Sequence, residues 1–140
     1  MGSRRKAREL ALQFLYKLDV AREDCTEDAL GVFLEAFAGR EEDRDYALIL
    51  IENTFRHKDE VDVVIKSHLD NWTLERLSAI DRNILRFATC ELLYFLDIPV
   101  NVTINEAIEV AKKFSLEESA TFINGVLDKI AKETTKGQIT

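Results

Sequence analysis

Apolar residues recur at helical spacing along almost the whole of this chain, and that recurrence constrains its fold more than any other feature. From Ala7 the pattern runs through Leu10, Ala11, Phe14 and Leu18, the i, i+3, i+4, i+7 stripe of an amphipathic helix. One proline and five glycines in 140 residues leave too few turn formers for a many-stranded β fold. The expected class is all-α, a compact bundle of about seven helices, and the length is enough to bury one real core.

The punctuation places the helices. The first spans about Arg4 to Val20. Thr26 can cap a second that ends near Gly39, whose missing Cβ suits the left-handed position after a helix. Tyr46, Leu50, Ile51, Thr54 and Phe55 mark a third, with Glu41, Glu42 and Asp43 as a favourable acidic first turn. Val61, Val64, Ile65, His68 and Leu69 mark a fourth begun at Asp59. Periodicity breaks between Asp70 and Thr73, where Trp72 is expected to anchor the junction of an N-terminal half (about 1–72) and a C-terminal half (about 73–140). A strong helix then runs from about Ser78 to Leu96, and Pro99 stops it. The pairs Thr103/Glu106 and Ser115/Glu118 fit the capping box and predict helices over 104–114 and 116–133. Thr134 to Thr140 lack periodicity and are expected to fray.

A net charge of −7 argues against a general nucleic-acid binder, yet it hides an asymmetry. Arg4, Arg5, Lys6 and Arg8 fall within eight residues that contain no acid, leaving 15 bases against 26 acids on the other 132. Such a chain repels polyanions over most of its surface and attracts them at one place. Cys25 and Cys90 lack zinc or redox spacing and read as reduced structural thiols. His57 and His68, eleven residues apart, have no metal-ligand spacing, and no phosphate loop or nucleophile motif occurs. No enzyme, cofactor or metal is expected. No apolar run reaches a membrane span and no signal peptide pattern follows the charged start, so the expected location is the cytoplasm.

On a wheel of 100° per residue, Arg5, Arg8, Leu12 and Tyr16 gather away from the apolar stripe. Arginines beside an exposed ring suit single-stranded nucleic acid, which offers phosphates and unstacked bases. Four bases in a helix first turn are also locally unfavourable without an anion. A solvated basic tail fits the same pattern, and Tyr16 could equally pack on a neighbouring helix. Phe122 lies at the edge of the last helix's apolar stripe, where partial exposure or core packing both fit. Asn124-Gly125 continues a helical pattern, so the glycine is read as permitting close approach by a helix or a ligand.

Three stretches together resemble the NusB family: RRKARELALQFLY from Arg4; NW, ERLSAIDRNILRFA and CELLY between His68 and Tyr94; and IPVNVTINEAIEVAKKF with FINGVLDKIA from Ile98. The resemblance implies two packed helical subdomains and a transcription antitermination factor. Such a factor binds boxA-type single-stranded RNA with NusE, a small-subunit ribosomal protein, and joins RNA polymerase complexes during ribosomal RNA synthesis. It maps RNA binding onto Arg4, Arg5, Lys6, Arg8 and Phe122, with Tyr16 in the same matching stretch, and the acidic position before the aromatic onto Glu118. Glu75 and Arg76 join Glu118 as candidate contacts for NusE. Self-association of some members is also implied. Two departures stand out: Thr121 where many relatives carry lysine, and Cys90 where an aromatic is common. The rival reading is an acidic adaptor that binds a basic partner without touching RNA.

Overall fold

The computed structural model describes residues 3–134; of the segment Thr134 to Thr140 expected to fray, only Thr134 is described, its amide and hydroxyl both donating to the Ile130 carbonyl, and the rest lies outside the described residues. These contain seven α-helices and no strand: α1 (Ser3–Ala21), α2 (Glu27–Phe37), α3 (Glu41–Arg56), α4 (Lys58–Lys66), α5 (Ala79–Tyr94), α6 (Val100–Phe114) and α7 (Glu117–Glu133), with one 3-10 turn at Leu74–Arg76. The Thr26 cap is present, its hydroxyl accepting from the Ala29 amide at 3.1 Å, and Gly39 takes φ 72°. Glu41, Glu42 and Asp43 occupy the first turn of α3.

Helix α5 is the axis of the bundle. It packs against α1, α3, α4, α6 and α7, which buries every residue from Asn83 to Leu92. An enclosed helix must satisfy its polar side chains internally. Arg86 does so by a two-pronged bond to Asp62 at 2.8 and 3.0 Å, while Asp19 of α1 accepts from Arg82 and Asn83 at 2.8 Å and from Arg86 at 3.1 Å. Helix α1 in turn packs against α2, α3, α5 and α6, which leaves it only a narrow solvent sector.

Four expectations are corrected. Helix α6 begins directly after Pro99, so Thr103 lies inside it, and its hydroxyl donates to Glu91 at 2.8 Å instead of capping. Ser115 caps nothing either: its hydroxyl donates to Asp81 at 3.2 Å, and α7 starts after Leu116. Helix α4 ends at Lys66, because Ser67 and His68 turn back to bond the Val64 carbonyl. Trp72 is 54% exposed and anchors nothing; Leu74, at 2%, is the buried residue of that junction.

Candidate nucleic-acid interface

The solvent sector of α1 presents Arg5, Lys6, Gln13, Tyr16, Lys17 and Val20. The expected grouping of Arg8 and Leu12 with Tyr16 on that surface is corrected, since both are 2% exposed. Neighbours on two sides cover the positions flanking the apolar stripe, so the surface is narrower than a wheel for a helix lying on a single partner would give.

Arg8 instead reaches inward to Glu91 of α5, with Nε and one terminal nitrogen donating to its two oxygens at 2.8 and 2.9 Å. Tyr46 of α3 and Thr103 of α6 donate to the same carboxylate at 2.9 and 2.8 Å. One buried anion thereby ties four helices together at the level of α1's second turn. Burial alone would pull the Arg8 guanidinium down, but the bonds and charge of Glu91 outweigh it and hold it above the ordinary value. Burial, reinforced by Glu91, pushes the Tyr46 phenol up. Arg8 is thereby buried, with its charge committed to Glu91.

The other three N-terminal bases remain outside. Lys6 is exposed, and Arg4 lies over the Tyr46 ring at 4.6 Å. Arg5 makes a two-pronged bond to Glu106 at 2.8 and 2.9 Å, and that bond, followed by the carboxylate's charge, raises its already high value. Arg4, Arg5 and, at its buried end, Arg8 line a cleft of about 420 Å³ together with Asp97, Ile98, Pro99, Val102 and Glu106. Neither α1 nor α6 carries an acid in its first turn, so the amide ends of two helices add positive potential here. The arrangement suits a phosphate group.

From this cleft a polar stripe runs along α1. Lys113 of α6 donates to Glu9 at 3.0 Å, and since Arg5 pairs with Glu106, the two helices advance in the same direction. Tyr16, eleven residues after Arg5, returns to nearly the same azimuth about 16 Å further on. Its ring is 40% exposed. Phe122 is partly buried on α7, beside a groove of about 310 Å³ formed with the His68–Trp72 segment. Glu75 and Arg76 are exposed on the 3-10 turn, Glu75 lying 3.9 Å from Lys66. Glu118 is exposed in the first turn of α7, where the adjacent Ser119 donates to Asp81 at 2.9 Å. That bond draws the start of α7 to the start of α5, five residues after Arg76. The structure thus gathers Arg4, Arg5 and Arg8 at one cleft, with Arg8 buried and paired to Glu91, spaces Tyr16 along the same face as Arg5, and places Phe122 in a separate groove. Lys17 and Lys113 went unnoticed in the sequence; Lys17 is legible there, eleven residues from Lys6 and so on its face.

Among the described residues no group of His, Cys, Asp and Glu could hold a metal ion, and no helix is long and apolar enough to cross a membrane.

The NusB family model matches residues 5–132. The transcription antitermination protein NusB of Thermodesulfovibrio yellowstonii is 49% identical over 139 residues, covering 93% of this chain and 92% of that protein. Among solved structures, T. maritima NusB superposes with TM-score 0.83 at 40% identity, covering 93% of this chain and 91% of that one. A crystal structure of antitermination factors NusB and NusE in complex with dsRNA matches with TM-score 0.85 at 28% identity, covering 95% and 98%.

Proposed function

The chain belongs to the NusB family, and from that premise we propose that it is a non-catalytic antitermination factor that binds boxA-type single-stranded RNA jointly with a NusE-type ribosomal protein. Within RNA polymerase complexes it supports ribosomal RNA transcription. Arg4, Arg5 and Lys6 neutralise phosphates at the cleft between the starts of α1 and α6. Tyr16 and Phe122 offer ring faces to bases, while Glu75, Arg76 and Glu118 belong to the partner side. The observation that carries this reading is the acid-free cationic start of α1 with an exposed tyrosine on the same face, on a body that is otherwise electronegative.

Salt dependence tests it. With Arg8 committed to Glu91, three phosphates are available, and at about 0.7 per phosphate the affinity should fall roughly twentyfold between 50 and 200 mM salt. Replacing Arg4, Arg5 and Lys6 with alanine should flatten that dependence almost completely. An unchanged slope would remove α1 from the mechanism.

The adaptor reading has one observation in its favour. Val20 and Val63 are exposed beside Lys66 and Glu75 in a cleft of about 680 Å³, and apolar surface rimmed by charge suits a protein partner. Crosslinking RNA in the assembled complex separates the two readings, because adducts at Tyr16 or Phe122 exclude an adaptor that never touches RNA.

A further inference from the structure

Two residues that the fold does not account for border the same groove. Gly125 lies in the middle of α7, where glycine is the least favourable helix former after proline. Its φ is not left-handed, and a Cβ built there would meet nothing within 4 Å, so neither backbone conformation nor helix packing calls for glycine. The close helix approach expected at this position is absent. Trp72 is the chain's only tryptophan, and more than half of it is exposed although its indole is mostly apolar. Both line the 310 Å³ groove that also contains Phe122, a volume at the lower end of the range for small-ligand sites.

We propose that this groove is a stacking slot for one unpaired RNA base, with Trp72 and Phe122 as its ring faces and Gly125 left bare to admit the base. The inference rests on the RNA-binding reading above and extends it to a residue, Trp72, outside the set assigned there. The polar lining fits a nucleotide better than an apolar peptide side chain. Asn71 supplies an amide able to donate and accept at a base edge, and the Thr121 hydroxyl is only loosely engaged, 3.5 Å from the Glu117 carbonyl. Lys129 can turn to the adjoining phosphate from its exposed pairing with Asp70 at 2.9 Å, a bond of little strength in water. With Asp70 beside it, the groove gains little from phosphate attraction, so stacking supplies the binding. A base held in a duplex cannot enter, which gives the slot a preference for single strands.

Trp72 reports directly on the test, because no other indole contributes to the chain's emission. The full chain, alone and with its basic partner protein, is titrated with an end-labelled single-stranded RNA oligonucleotide. Probe anisotropy and, for the chain alone, tryptophan emission are recorded. Emission should be quenched with the midpoint that anisotropy gives, and duplex RNA should not quench it. Trp72→Leu and Gly125→Leu should each weaken binding on the order of tenfold, the scale of one lost base stack, while Trp72→Phe stays near wild type. The salt slope should be unchanged in all three, and Gly125→Leu should melt at or above the wild-type temperature. Anisotropy that reports binding while emission stays constant and Gly125→Leu binds normally would overturn the slot and leave the RNA reading standing. No anisotropy change in either format would sink both. Emission that responds to the partner protein and not to RNA would make the groove a protein-binding face and overturn the inference.

Discussion

Replacing Arg8 with alanine separates a structural arginine from a binding one. The substitution removes two of the four hydrogen bonds that the Glu91 carboxylate receives and, among the described residues, the only cation paired with it, while Glu91 is 0% exposed in the native fold. Breaking a buried pair by deleting one partner costs about 3–5 kcal/mol, because the remaining charge is stranded. At an unfolding entropy of about 2.1 cal/mol/K per residue, a chain of this length should lose roughly 10–17 °C in Tm. Thermal unfolding followed by circular dichroism reads this directly. The double variant Arg8→Met, Glu91→Leu removes the stranded charge but leaves the Tyr46 and Thr103 hydroxyls without their acceptor, at about 1–3 kcal/mol for each, so it should recover little of the loss. Below its melting temperature, Arg8→Ala should bind RNA with an unchanged salt slope. A Tm within about 2 °C of wild type, together with a slope smaller by about 0.7, would refute the reasoning, because Arg8 would then be holding a phosphate at the surface.

Other outcomes follow from the same contacts. Glu106→Gln should strengthen RNA binding up to about fivefold in a titration at fixed salt, since a phosphate no longer has to displace an exposed ion pair from Arg5; weakened binding would mean that Glu106 positions Arg5. Burial pushes the Asp19 carboxyl up, but bonds from Arg82 and Asn83 and the charges of Arg82 and Arg86 leave it below its ordinary value. Its stabilising contribution is therefore whole above about pH 4 and is lost as pH falls through the depressed folded value, so Asp19→Asn should flatten the stability curve in that acid range and lower stability at neutral pH. Burial raises the Cys90 thiol to about 12, and raises Cys25 as well though it is only partly buried. At about pH 8 a thiol reagent should titrate Cys25 in the native protein and Cys90 only after denaturant is added; two equivalents without denaturant would contradict the burial of Cys90.

The sequence made the helices legible because each signal was local. The Thr26 cap, the Gly39 terminus and the acidic start of α3 depend on neighbours a few residues away. The failures share the opposite property. Arg8 meets Glu91 across 83 positions, and nothing in either local pattern announces the pairing. Thr103 and Ser115 satisfy a capping motif on paper, but Glu91 and Asp81 take their hydroxyls from a distance in sequence. The wheel of α1 erred for the same reason: it gives directions but not the number of helices that come to lie against them. Phe122, read as lying at a stripe edge, is partly buried in the fold because α7 has an open side along that edge. Tyr16 needed only its own helix to be read as peripheral.

The distribution of charge decides over what range such a protein can attract RNA. At physiological ionic strength fields die away over about 8 Å, so an approaching strand senses only what lies close to it. Further out it meets the −7 of the whole chain, which repels it. Within contact range of α1's first turn it meets Arg4, Arg5 and Lys6 and two acid-free helix starts, set against Glu106 and Asp97 in the cleft and the charges of Glu109 and Glu9 near Arg5. Attraction of this kind holds a strand that has already arrived but does not draw one in. A basic partner that gathers RNA would supply the missing long-range step, and the rings of Tyr16, Phe122 and Trp72 would then discriminate single strands by a force that salt does not screen.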